Sequence, residues 1–220
     1  MSESIFDLSK YIDNVVYINL DKRTDRRLEI ETQLKEYDIT FERFAAIPHS
    51  NGIVGCGYSH LAVLSAARER EGKNILILED DFVFAVSKEE FQRQIAELFD
   101  KDSLYNSSSG GLEYDVIMIS YTKHGIQRKE ELDHPIVNCL IEAQNASGYI
   151  VNSHYYSKLI ELYETNIPLL EQTGQHWIYA NDIIWKRLQC VDRWFYCKQR
   201  IGMQRAGFSD NTNGHADYEV

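Results

Sequence analysis

Glu79-Asp80-Asp81 is the run in this chain best equipped for chemistry. Three consecutive carboxylates repel one another, and each is costly to desolvate. A hard divalent ion such as Mg²⁺ or Mn²⁺ resolves both problems by taking oxygen ligands and bridging them to a substrate phosphate. The alternative is a solvated acidic turn that holds nothing. A second candidate is the turn Asp21-Lys22-Arg23-Thr24-Asp25-Arg26-Arg27. Arginine forks suit phosphate oxygens, and a helix N-terminus favours anions. The same residues also fit a solvated helix face on which Asp25 pairs with its neighbours.

Asp182, in Asn181-Asp182-Ile183-Ile184, sits at a predicted helix start. The helix dipole stabilises a carboxylate there. Asp182 is therefore either a helix-start residue or a general base on a pocket rim. Gly55-Cys56-Gly57-Tyr58-Ser59-His60 reads as a tight loop ahead of a helix, with Ser59 as N-cap and His60 either facing a ligand or structural. Gly-Lys-Ser/Thr is missing, so this is no Walker loop. Gln204, Ser209, Asp210 and His215 lie in a polar tail. Such a tail can fold over a nucleotide, with His215 completing a metal shell, or stay disordered.

These groups need a scaffold. Residues 75–78, in a strand read over 74–78, are an aliphatic run of the kind buried on both faces of a sheet, so the carboxylates fall at a strand's carboxyl end. Residues 15–20 form a similar run. Phe41–Ile47, Val116–Ser120, Ile136–Glu142, Gly148–Val151 and Arg193–Cys197 read as further strands. Ile30, Leu34 and Tyr37 mark one helix face, and Tyr155, Leu159 and Leu162 another. Leu61, Leu64 and Ala67 line a helix predicted over 60–71. Ser87 with Glu90 reads as a capping box for a helix ending near Phe99. Residues 102–111 and 122–135 read as polar excursions. Strands alternating with helices over the first 120 residues predict an α/β sheet, mostly parallel.

The chain has 220 residues, 23 Lys+Arg against 34 Asp+Glu, and a formal net charge of −11. That excludes the broad basic footprint of a nucleic-acid binder. The four cysteines lack CxxC spacing and read as reduced thiols. No signal peptide or transmembrane segment is visible, so a cytoplasmic location is expected.

The ordered stretches VVYINLDKRTDRR (15–27), FERFAAI (41–47), GCGYSHLAVLSAA (55–67), ILILEDDFVF (75–84), ASGYIVNSHYYSKLIE (146–161), NDIIWKRL (181–188) and QRAGFSD (204–210) resemble glycosyltransferase family 25. That family covers lipopolysaccharide glycosyltransferases and procollagen galactosyltransferase-like domains. The resemblance implies a single GT-A domain over 1–220: a Rossmann-like, mostly parallel sheet flanked by helices. Residues 1–120 would bind the nucleotide sugar, and 121–220 the acceptor. It further implies an inverting transfer of galactose or glucose from a UDP-sugar, with Mn²⁺ or Mg²⁺, to a glycan or a hydroxylysine-type protein acceptor. By analogy Asp81 and His215 would bind the metal. Asn19, Leu20, Arg23, Ser59, His60, Glu79, Asp80, Gly148, Tyr149, Ser209 and Asp210 would contact the donor, with Glu79 toward the nucleoside. Asp182 would be the base. The alternative is a non-catalytic nucleotide-sugar or glycan-binding module of the same fold.

Overall fold

The computed structural model describes residues 6–70, 72–100, 112–123, 126–128, 132–209 and 214–216. The first half alternates as its pattern predicts. Strand β1 (Asn14–Asn19) leads to α1 (Thr24–Glu36), β2 (Glu42–Ala45), α2 (Gly52–Glu69), β3 (Asn74–Glu79), β4 (Phe82–Phe84) and α3 (Lys88–Phe99). The capping box forms: Ser87 Oγ accepts the Glu90 N–H at 3.3 Å. The second half contains β5 (Val116–Met118), β6 (Gln127–Arg128), β7 (Val137–Glu142), β8 (Gly148–Asn152) and the long helix α4 (Tyr156–Thr173). Three one-turn helices follow, α5 (His176–Tyr179), α6 (Asn181–Ile184) and α7 (Lys186–Gln189). The chain then enters β9 (Trp194–Cys197), β10 (Gly202–Gln204), β11 (Gly207–Ser209) and β12 (Gly214–Ala216).

Eight strands form one sheet in the order β2-β1-β3-β8-β5-β9-β7-β6. β1 lies between two parallel neighbours, β2 and β3. β8 is antiparallel to β3 and β5, and β7 is antiparallel to β9 and β6. These two reversed strands sit in a sheet that otherwise runs one way. Alternation along each strand sorts the core into two layers. Val16, Ile18, Ile75, Ile77, Tyr149 and Val151 pack with α2 and α4. Val15, Tyr17, Leu76, Leu78 and Ile150 pack with α1 and α3. So α1 and α2 leave β1 and β2 to cover opposite faces. The carboxyl ends of β1 and β3 therefore border a topological switch point, where open α/β sheets bind ligands.

Three sequence expectations need correction. Residues 52–59 are helix, not loop: α2 starts at Gly52, and Asn51 is its cap, accepting the Ile53 N–H at 3.1 Å. Its glycines serve packing. A Cβ on Gly55 would lie 2.6 Å from the Ile47 carbonyl, and one on Gly57 would lie 3.0 Å from Ile167 of α4. Ser59 consequently falls inside the helix, where it is no N-cap. The 122–135 excursion is partly sheet, since Gln127–Arg128 pair with β7. The tail is also ordered in part: β10 pairs with β4, and β11 with β12. The 102–111 expectation lies outside the described residues.

Candidate active site

The alternation that builds the two-faced sheet also divides the acidic run. Ile75 and Ile77 face α2, whereas Leu76 and Leu78 face α1. Glu79 continues the first series and meets α2. Its Oε1 lies 3.0 Å from His60 Nε2 and 3.5 Å from Cys56 Sγ. His60 Nδ1 is 2.7 Å from the Tyr149 hydroxyl. Burial pushes the Glu79 carboxyl up, but its His60 partner outweighs that and leaves it below its ordinary value. It is therefore ionised at neutral pH.

Asp80 and Asp81 turn to the α1 side and share one arginine. Arg26 Nη1 donates to Asp80 Oδ1 at 2.9 Å and to Asp81 Oδ2 at 2.9 Å. Asn19 Nδ2, at the end of β1, donates to Asp80 Oδ2 at 2.7 Å. Arg43 in turn donates to Asn19 Oδ1 at 3.0 Å. From β10, Gln204 Nε2 donates to Asp81 Oδ2 at 3.2 Å. Asp81 Oδ1 is buried and has no hydrogen-bond partner. Burial, then the charge of Glu79, lifts the Asp81 carboxyl to about 7. Burial likewise raises Asp80 above its ordinary value. One arginine thus faces two carboxylates, with a third close behind.

Asp182 lies in the first turn of α6. The backbone amides of Asn145 and of Asp182 itself favour its charged form, but less than burial opposes it. Burial and the charge of Glu79 raise it above the ordinary aspartate value, which makes it a stronger base. Asn145 holds φ at +70°, an uncommon backbone state that asparagine tolerates better than most residues. Its side-chain oxygen accepts the Ser147 hydroxyl at 2.9 Å, which pins that conformation.

The other expected positions fall as follows. Leu20 and Arg23 occupy the turn after β1, where Arg23 is bidentate to Asp25 at 3.1 and 2.9 Å. The arginine at the carboxylates is Arg26. Ser59 is fully buried and ties the chain together, donating to the Gly55 carbonyl at 2.7 Å and accepting the Ile47 N–H at 2.9 Å. Gly148 lies against Phe82, 2.8 Å from where its Cβ would be. Tyr149 is fully buried and reaches the carboxylates through His60. Ser209 ends β11, His215 is exposed on β12, and Asp210 lies outside the described residues. Among the described residues, no hydrogen bond or ion pair links His215 to Asp81. Cys56 and Asn145 were given no role from the sequence, and Arg26 and Gln204 entered only as members of the basic turn and the polar tail. Two signals were available: the i, i+4 spacing of Cys56 and His60, and the period-two alternation across Glu79 and Asp80.

The α1 side fits a hard divalent ion through one protein ligand. Asp81 Oδ1 is an unpartnered carboxylate oxygen in a site with an excess of negative charge. Magnesium-type ions are commonly held by one or two carboxylates plus substrate phosphates. A cavity of about 660 Å³ lined by Leu8, Asp13 and Phe41 opens at the amino ends of β1 and β2, and includes none of these groups.

An acid-bearing switch point on this sheet defines a GT-A-like glycosyltransferase fold. A solved glycosyltransferase involved in glycosylating the major capsid of PBCV-1 shares it. The TM-score is 0.51 at 10% identity, over 91% of this chain and 95% of that one. Residues 48–173 match the pattern of glycosyltransferase family 25 (LPS biosynthesis protein), and the chain belongs to that family. Procollagen galactosyltransferase 2 of Homo sapiens is 25% identical over 179 residues, 67% of this chain and 27% of that protein. Procollagen galactosyltransferase 1 of Danio rerio is also 25% identical, over 67% of this chain and 28% of its own length. The chain thus spans about a quarter of these relatives. Among the described residues, no helix is long and apolar enough to cross a membrane.

Proposed function

We propose that this chain transfers galactose or glucose from a UDP-sugar to a hydroxyl of a glycan or a hydroxylysine-type protein, with inversion and with Mn²⁺ or Mg²⁺. One observation carries the reading. A buried carboxylate oxygen without a partner, on Asp81, and a second carboxylate of raised basicity, on Asp182, both feel the charge of Glu79. Family membership and the likeness to two procollagen galactosyltransferases support the donor class.

Asp81 Oδ1 holds the cation, and Arg26 with Asn19 keeps Asp80 and Asp81 in place beside it. When bound, the ion supplies Lewis-acid neutralisation of charge on the departing diphosphate. The turn Asn19–Arg23 and the first turn of α1 border the same end of the sheet and favour an anion there. Asp182 takes the acceptor hydroxyl's proton as that oxygen bonds to the anomeric carbon and the sugar–phosphate bond breaks. The sugar inverts because this is one displacement. Residues 1–120 carry the donor and 121–220 the acceptor.

A panel of UDP-sugars tested for UDP release with Mn²⁺ and with chelator checks the donor and the cation. Asp182→Asn should retain donor binding and lose roughly 10²–10⁴-fold in turnover. Full turnover in that variant places the base elsewhere.

A further inference from the structure

We propose that Cys56, His60 and Glu79 form a separate cation site, of the thiolate–imidazole–carboxylate kind that takes Zn²⁺. It goes beyond the sugar-transfer reading and does not depend on it. Cys56 and His60 stand four residues apart on α2, so their side chains leave one face. Glu79 reaches that face from the end of β3. One ligand atom from each residue lies within 4.8 Å of the other two. Glu79 Oε1 is 3.0 Å from His60 Nε2 and 3.5 Å from Cys56 Sγ. A tetrahedral zinc with bonds of about 2.0–2.3 Å sets its ligands about 3.3–3.8 Å apart, so side-chain shifts of about 1 Å or less suffice.

Asn181 provides an independent observation. It is only 5% exposed, and its Oδ1 has no hydrogen-bond partner. Its Nδ2 sits 3.6 Å from Cys56 Sγ. Amide oxygen and nitrogen exchange places when the carboxamide turns over. Turning it over puts an amide oxygen beside the Cys56 sulfur, where it can serve as a further ligand. The 2.7 Å contact between His60 Nδ1 and the Tyr149 hydroxyl is the outer hydrogen bond that a zinc-bound imidazole carries. Cys56 and Glu79 are partly exposed, which leaves the ion a route in.

Binding exchanges protons for one ion, with no redox change. The Cys56 S–H bond breaks, its proton goes to solvent, and the sulfur pair bonds the metal. His60 binds through Nε2 as the imidazole, with the proton on Nδ1 donated to Tyr149. Glu79 binds as the carboxylate. The ion and its ligands then sum to zero charge.

Co²⁺ is the probe. The full chain, stripped with chelator and dialysed, is titrated with Co²⁺ while its absorbance is recorded. The expected result is one equivalent bound with a thiolate-to-cobalt charge-transfer band, which Zn²⁺ abolishes. Cys56→Ser should lose the band, and Tyr149→Phe should weaken binding about 10-fold. Cys139→Ser/Cys190→Ser should keep it, as should Asp81→Asn, which separates this site from the sugar-transfer cation. No band in the unaltered chain overturns the proposal. So does a band that survives Cys56→Ser, or one lost from the Cys139→Ser/Cys190→Ser chain.

Discussion

Asp81→Asn should make the metal-free protein more stable, by an amount that grows with pH. The Asp81 carboxyl titrates near 7 when folded, against an ordinary value of 3.8. A carboxyl raised by folding contributes its stability below the unfolded value and loses it as pH rises through the folded one. At 1.36 kcal/mol per unit, the folded chain gives up about 4 kcal/mol above pH 7 as an upper figure. Asp80 and Glu79 share the repulsion, so about 2–4 kcal/mol is expected. The asparagine preserves the local contacts. Its oxygen can accept from Arg26 and Gln204 as Asp81 Oδ2 does, and its NH₂ occupies the place of the unpartnered Oδ1. For a chain of this size that is a rise in Tm on the order of 5–10 °C at pH 8, shrinking to little near pH 4. Thermal melts from pH 4 to 8 in chelator measure it. Equal melting temperatures at pH 8, or a gain independent of pH, would refute the reasoning.

Arg26→Met should cost about 3–5 kcal/mol in urea unfolding, because Asp80 and Asp81 lose their shared counter-charge. Adding Asp81→Asn to it should recover part of that loss, since one uncompensated charge goes. Gly202→Ala places a Cβ 2.0 Å from the Phe82 ring and should cost about 3 kcal/mol or more, partly recovered by Phe82→Leu. His134 is buried, and its Nδ1 accepts the N–H groups of Ile136 at 3.0 Å and Val137 at 3.2 Å. Burial first, then the charge of Lys198, depresses it to about 4, so it folds neutral. The unfolded chain alone takes up that proton as pH falls from 6.5 to 4, and stability should drop by about 2–3 kcal/mol over that window. His134→Asn can accept the same two N–H groups and should lack that slope in pH-dependent urea unfolding.

The scaffold was legible wherever hydrophobic pattern alone decides structure. β1 and β3 are aliphatic runs too short for helices, and α3 announces itself through Ser87 and Glu90. What misled was glycine. Gly55 and Gly57 look like loop residues, yet they are helical because Ile47 and Ile167 press against α2. Reading them as loop hid the shared face of Cys56 and His60. The acidic run was found, and the resemblance graded its members, but the two faces they turn to were not foreseen. Strand alternation separates Glu79, facing α2, from Asp80, and the turn after β3 brings Asp81 beside Asp80 at Arg26. The Gln204 contact depends on β10 returning to β4 from more than a hundred residues downstream, and no local pattern encodes that. Asn145 likewise matters through its left-handed backbone and its hold on Ser147, which side-chain type does not advertise.

UDP binding measured by calorimetry with and without Mn²⁺ tests the sugar-transfer reading most directly. The account predicts binding that requires Mn²⁺ in the unaltered chain and is lost in Asp81→Asn. Binding of equal strength in chelator, or binding that Asp81→Asn leaves unchanged, would contradict it.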